Sequence, residues 1–290
     1  MSEKKVEGYV EPTVAEDVVR TMSPNKFGMW TRCQYQFFQR YVLGLKRPPS
    51  GPIAFGKATD ELSAAFFEEK KATHEDWDES LTKEFWADRW ATVSKEVEDW
   101  ESDDPNTMLD QGVEAAKVWR SDIGVNFQPH ETKFYFELPI YDWILNGEID
   151  TIGKPSNEEH LPVIATDTKT TKRAWRLKKV LEEDQPVAYS LALQHTPKLE
   201  ARIDTFQYHV LIRKNTKTRG PEAVSQIINR PVDQEERDGF VIRLEMARTQ
   251  IMDSFRSGVF LPNRKHTLCT RRFCGFWHDC EKAFGGTIPE

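Results

Sequence analysis

The chain has 290 residues, a formal net charge of −7, 38% hydrophobic residues and 30% charged ones. An acidic balance argues against a protein that coats nucleic acid by bulk attraction, so any contact with phosphates must come from local patches. No apolar run reaches the length of a membrane span, no secretory pattern opens the chain, and 17 Phe with 9 Trp suffice for a sizeable core, so a cytoplasmic protein is expected.

Residues 1–20 are polar and read as a loose tail, followed by a single domain over 21–290. Ser23 and Pro24 resemble an N-cap and a first helical residue. Phe27, Trp30, Phe37 and Tyr41 then recur at helical spacing, which predicts a helix over 24–44 with Cys33 on its apolar stripe. The segment 48–52, Pro-Pro-Ser-Gly-Pro, is a turn that leads into a second helix near 53–71. Residues 72–125 are acidic and rich in tryptophan. Trp77, Trp86, Trp90, Trp100 and Trp119 fit a helical insertion that roofs a site, with core packing as the plainer reading.

Alternation of period two begins at Thr132 and runs to Leu138. Strands are expected near 132–141, 143–152 and 161–169, then a helix from about 176 to 195, a strand from Thr205 to Arg213 and a last helix from about 232 to 257. Helix, strands, helix and strand in this order predict an α/β fold with a central mixed sheet.

Three short signals in the middle carry chemistry. The strand ending Gly147-Glu148-Ile149-Asp150 presents an acid beside a glycine that permits close approach. In Asp167-Thr168-Lys169 the acid and the lysine project to the same side of a strand. Gln185 and Tyr189 share one helical face, and Pro186 puts them near the helix start. Two carboxylates and an ammonium can thus converge. Mg²⁺ is satisfied by one or two carboxylates and several waters. A bound divalent ion acidifies a water and stabilises charge on phosphoryl oxygens. Each motif alone is weak; the ordered set is specific.

With these residues the chain resembles the RecB-like branch of the PD-(D/E)XK nuclease superfamily, which includes the nuclease domains of helicase-nucleases, CRISPR-associated adaptation nucleases and many phage exonucleases. The resemblance runs from Ser23 to Cys280. It implies a restriction-endonuclease-like core, with Asp150 and Asp167 as ligands of Mg²⁺ or Mn²⁺, the carbonyl of Thr168 as an extra ligand, and Lys169 as the catalytic lysine. Gln185 and Tyr189 become the helix motif beside the site. A further landmark is Phe55-Gly56-Lys57-Ala58-Thr59-Asp60-Glu61-Leu62, where many relatives carry a histidine ligand and this chain has Asp60. A carboxylate there suits a hard cation, and whether Asp60 or Glu61 reaches it is open.

Four cysteines, Cys33, Cys269, Cys274 and Cys280, are too few for a disulfide scaffold, and the last three form C-x4-C-x5-C in a tail over about 262–284. Three clustered thiols and a remote one can make a four-cysteinate metal site. The resemblance implies a [4Fe-4S] cluster on these four, although the family's commoner spacing is C-x2-C-x5-C. Zinc on four thiolates and unliganded core cysteines are the alternatives.

Lys172, Arg173, Arg176, Lys178 and Lys179 concentrate positive charge after Lys169, and Arg213, Lys214, Lys217 and Arg219 form a second basic stretch. Both suit phosphate neutralisation, although such runs are usually solvated faces. The expectation is a metal-dependent DNA exonuclease acting on single strands or duplex ends in recombination, repair, phage or CRISPR processing. A helicase or recombination protein is its expected companion, and no membrane is. Alternatives are a sequence- or structure-specific endonuclease and a non-catalytic nucleic-acid-binding scaffold.

Overall fold

A computed structural model describes residues 12–156, 162–196, 204–216 and 220–289. The expected order of elements is present, with local differences that have physical reasons. Helix α1 (Pro12–Arg20) occupies part of the segment read as a tail. After strand β1 (Thr21–Met22), the Ser23 side chain accepts from the Lys26 N–H and caps α2 (Pro24–Arg32). The predicted helix over 24–44 breaks at Cys33, whose extended backbone (φ −162°) ends α2 and starts α3 (Gln34–Phe37), with a π turn over Phe38–Val42. Cys33 is therefore a junction residue and does not lie on a continuous apolar stripe.

Helices α4 (Gly51–Thr73), α5 (Glu79–Val93) and α6 (Pro105–Trp119) follow. The sheet is built from β2 (Phe127–Ile140), β3 (Trp143–Pro155), β4 (Ile164–Thr171), β5 (Thr205–Thr216) and β6 (Gly220–Pro231). Its order is β1-β3-β4-β5-β6, with β2 paired to β3. Strand β6 has no counterpart in the sequence reading. It pairs antiparallel with β5, so that Tyr208 lies opposite Ile228.

Strands β3 and β4 are antiparallel, with Thr151 opposite Thr166, whereas β4 and β5 are parallel, with Asp167 opposite Tyr208. Parallel neighbours need a crossover, and helices α7 (Leu177–Leu181) and α8 (Gln185–Gln194) lie in that connection. The single helix expected over 176–195 is divided because Pro186, which lacks an N–H, fits in the first turn of a new helix. The chain ends with α9 (Gln234–Ser257) and α10 (Trp277–Phe284).

By internal contacts the chain divides into two compact units. One comprises residues 1–47, 137–147 and 234–290. Its core includes Phe27 edge-on to Phe240 at 5.6 Å and Phe38 against Phe260 at 4.6 Å. The other comprises 48–136 and 148–233. There the insertion tryptophans are core residues: Trp86, Trp90 and Trp119 are buried with Phe55, Phe66, Phe67 and Leu211. The Trp86 indole N–H donates to Thr59 Oγ1 at 3.2 Å and that of Trp90 to the Pro105 carbonyl at 3.2 Å, so neither ring is free to stack on a base.

Candidate active site

All members of the site belong to the second unit. Strand β4 is buried from Ile164 to Asp167 and becomes half-buried from Thr168 onward, so its acid sits where the strand emerges. Asp167 is only 2% exposed. Alternation brings Lys169 to the same side, where its Nζ lies 2.6 Å from Asp167 Oδ2. The other oxygen, Oδ1, accepts from Gln185 Nε2 at 2.8 Å. That amide also donates to the Tyr189 hydroxyl at 2.8 Å, and the hydroxyl donates to the Glu148 carbonyl at 2.6 Å. Gln185 and Tyr189 thus tether the acid of β4 to the backbone of β3.

Burial pushes Asp167 up to about 7, against the pull of Lys169, and the charge of Asp150 acts in the same direction as burial. For Lys169, burial opposes the charge but Asp167 more than offsets it, so the ammonium holds its proton more firmly than an ordinary lysine. The Tyr189 phenol is raised by burial and then by Asp167, and it stays neutral.

The second acidic strand meets a cation that the sequence reading missed. Lys133 Nζ lies 2.5 Å from Asp60 Oδ1, 3.1 Å from Asp150 Oδ1 and 3.6 Å from Glu148 Oε1. Lys133 has a left-handed backbone (φ 46°), which interrupts the alternation expected of β2 and is uncommon for a residue other than glycine. Only that backbone angle distinguishes it, and no sequence pattern signals it. Asp60 is raised by burial and by repulsion from Asp150. Its neighbour Glu61 approaches Arg89 instead, at 3.9 Å, so Asp60 is the acid of α4 that faces the site. Thr168 lies between Asp167 and Lys169 in register with His209.

Among the described residues no group of three or more His, Cys, Asp or Glu is arranged to hold a metal ion. The lysines sit on the acids instead. The donor set nevertheless fits a hard cation, because Asp60, Asp150 and Asp167 supply oxygen alone and the cluster of Asp60, Glu148 and Asp150 outnumbers its one ammonium. Mg²⁺ keeps several of its waters, so it does not demand a cage of protein ligands.

The basic run is less available than its sequence suggests. Lys172 pairs with Asp103 at 3.2 Å, Lys178 with Glu182 at 3.7 Å, and Lys179 with Glu183. Arg173 and Arg176 are exposed. In the second stretch Arg213 is buried with its guanidinium 4.0 Å over the Phe55 ring, and Lys217 and Arg219 lie outside the described residues.

The cysteines fall in the first unit. All four are free thiols. The Asn263 N–H donates to Cys33 Sγ at 3.4 Å, and Arg264 donates to the Cys280 carbonyl at 3.1 Å and to its Sγ at 3.7 Å. Burial pushes Cys274 up to about 11, and Cys33, Cys269 and Cys280 each add to the effect. No three of them are placed as ligands of one metal ion.

A six-stranded mixed sheet thus bears a strand-borne acid and lysine beside a second acidic strand. The family model of the PD-(D/E)XK nuclease superfamily matches residues 21–281, and the chain belongs to that superfamily. It is accordingly a nuclease, a hydrolase whose substrate class is DNA, and such enzymes generally use Mg²⁺ or Mn²⁺. No curated protein matches the sequence. Among solved structures the chain is similar to a "Putative exonuclease" from Eubacterium rectale, with a TM-score of 0.54, 10% identity and 93% of each chain covered. At that identity the likeness shows the fold alone.

Proposed function

We propose that this protein is a divalent-metal-dependent DNA exonuclease of the RecB-like branch, acting in a cytoplasmic setting on single strands or duplex ends. The observation that carries the reading is the fixed geometry of Asp167, held on one oxygen by Gln185 and on the other by Lys169, within reach of the charge of Asp150. Asp150 and Asp167 would hold the ion, with Asp60 and the Thr168 carbonyl as further oxygen ligands. Mg²⁺ or Mn²⁺ supplies an acidified water and charge stabilisation when bound.

The chain's own groups do the rest. Lys169 keeps its proton, which suits it to stabilise negative charge developing on the phosphoryl oxygens and to orient water, and makes it a poor general base. Gln185 and Tyr189 fix the orientation of Asp167 rather than touching substrate. Exposed Arg173 and Arg176 are the part of the basic run best suited to phosphates. The four cysteines are proposed to share a [4Fe-4S] cluster, with zinc as the alternative; the N–H donors aimed at Cys33 and Cys280 are the partners a bound thiolate needs. A helicase or recombination protein is the proposed companion.

The test uses end-labelled linear and closed circular DNA, single- and double-stranded, with Mg²⁺, with Mn²⁺ and with EDTA. Linear substrates should be degraded and circles spared, and EDTA should stop the reaction. Asp167→Asn and Lys169→Ala should each lower the rate by roughly a hundredfold or more while remaining folded. Discrete cutting of circles would establish an endonuclease, and binding without cleavage under every condition would favour the scaffold.

A further inference from the structure

Asp60, Glu148 and Asp150 come from one helix and one strand, and they meet on a single ammonium at 2.5, 3.6 and 3.1 Å. Three carboxylates converging without a cation would repel one another, since like charges a few ångströms apart are only partly screened at a half-buried site. Lys133 supplies that cation from a left-handed backbone, a conformation that persists in a residue other than glycine only when the surroundings enforce it. Its side chain is 30% exposed, so a route to solvent is open. Lys169, by contrast, is committed to Asp167 across the site.

We propose that Lys133 is a displaceable counter-ion of the metal centre: its ammonium competes with the divalent ion for Asp60 and Asp150, and binding of the ion turns the side chain out to solvent. The proposal rests on the metal-dependent reading above and adds a residue to it. A lysine that must leave lowers affinity for the ion and offsets part of the acids' charge until one arrives. Ligand-linked competition of this kind commonly amounts to a coupling of 5- to 150-fold, by general experience with coupled sites.

The full chain, stripped with EDTA and dialysed, is titrated with Mn²⁺, and free Mn²⁺ is followed by electron paramagnetic resonance. Lys133→Met should bind Mn²⁺ about tenfold tighter than the unsubstituted protein. Equal or weaker binding by the variant would overturn the counter-ion role and leave the metal reading standing. Failure of both proteins to bind would overturn both. A second measurement needs no variant: brief acetylation and peptide mass spectrometry report the reactivity of Lys133 against Lys178, whose side chain is 86% exposed. Mn²⁺ should raise labelling of Lys133 several-fold and leave Lys178 unchanged. Unchanged labelling of Lys133 while Mn²⁺ is bound would overturn the proposal.

Discussion

At the scale of single residues, His209 shows how burial sets chemistry away from the site. Its ring packs edge-on to Phe127 at 5.8 Å, and in the tautomer protonated on Nε2 it donates to Gln207 Oε1 at 2.7 Å. Burial pushes its pKa down to about 3. The unfolded chain takes up this proton near pH 6.5 and the folded one only near 3, so the stabilisation is complete above about 6.5 and is lost as pH falls through that window. Urea unfolding at a series of pH values should show His209→Gln losing less stability on acidification than the unsubstituted protein. The difference should approach about 1.4 kcal/mol per pH unit between pH 6 and 4. Parallel curves would mean that His209 is not buried as described. The same scale explains what the site motifs revealed. Asp167 and Lys169 were legible because strand alternation is local, and Lys133 was not, because a left-handed residue in a strand has no compositional mark.

At the scale of elements, close packing decides more than propensity. Helix α6 carries Gly112, and a Cβ built there would lie 1.8 Å from the Trp86 ring, which is fully buried on α5. Alanine favours a helix interior over glycine by about 1 kcal/mol. Overpacking a core costs about 1–3 kcal/mol and more when the neighbour cannot move. Gly112→Ala should therefore destabilise the protein by about 2 kcal/mol despite the better helix residue, read as a lower urea midpoint. An unchanged or higher midpoint would mean that the α5 and α6 contact is loose. The two helices were predictable from tryptophan spacing, but their role as core rather than roof was set by the partners that their indoles find. Strand β6 escaped the sequence reading because its burial is mostly intermediate, without the alternation that marks a half-buried strand.

At the scale of the whole chain, the cysteine tail joins positions far apart in sequence. Cys33 accepts from an N–H 230 positions away. A metal shared by Cys33, Cys269, Cys274 and Cys280 would close a loop of about that length, and by the chain-entropy argument such closure contributes on the order of 5–6 kcal/mol. Anaerobically purified protein should be brown and contain iron. Cys33→Ser should lose the colour and melt roughly 10 °C lower. One zinc and no iron would identify the structural zinc site instead. No metal of either kind would leave four reduced thiols with a packing role.

The sequence by itself determined the fold class, the order of its main strands and helices, and the acids and lysine proposed for the site, because each depends on short-range periodicity or on a motif within one element. The break at Cys33, the left-handed Lys133 and its three carboxylates were decided only by tertiary structure. Those features depend on which elements pack together, and charges separated by 73 positions, as Asp60 and Lys133 are, meet only when the fold brings them there.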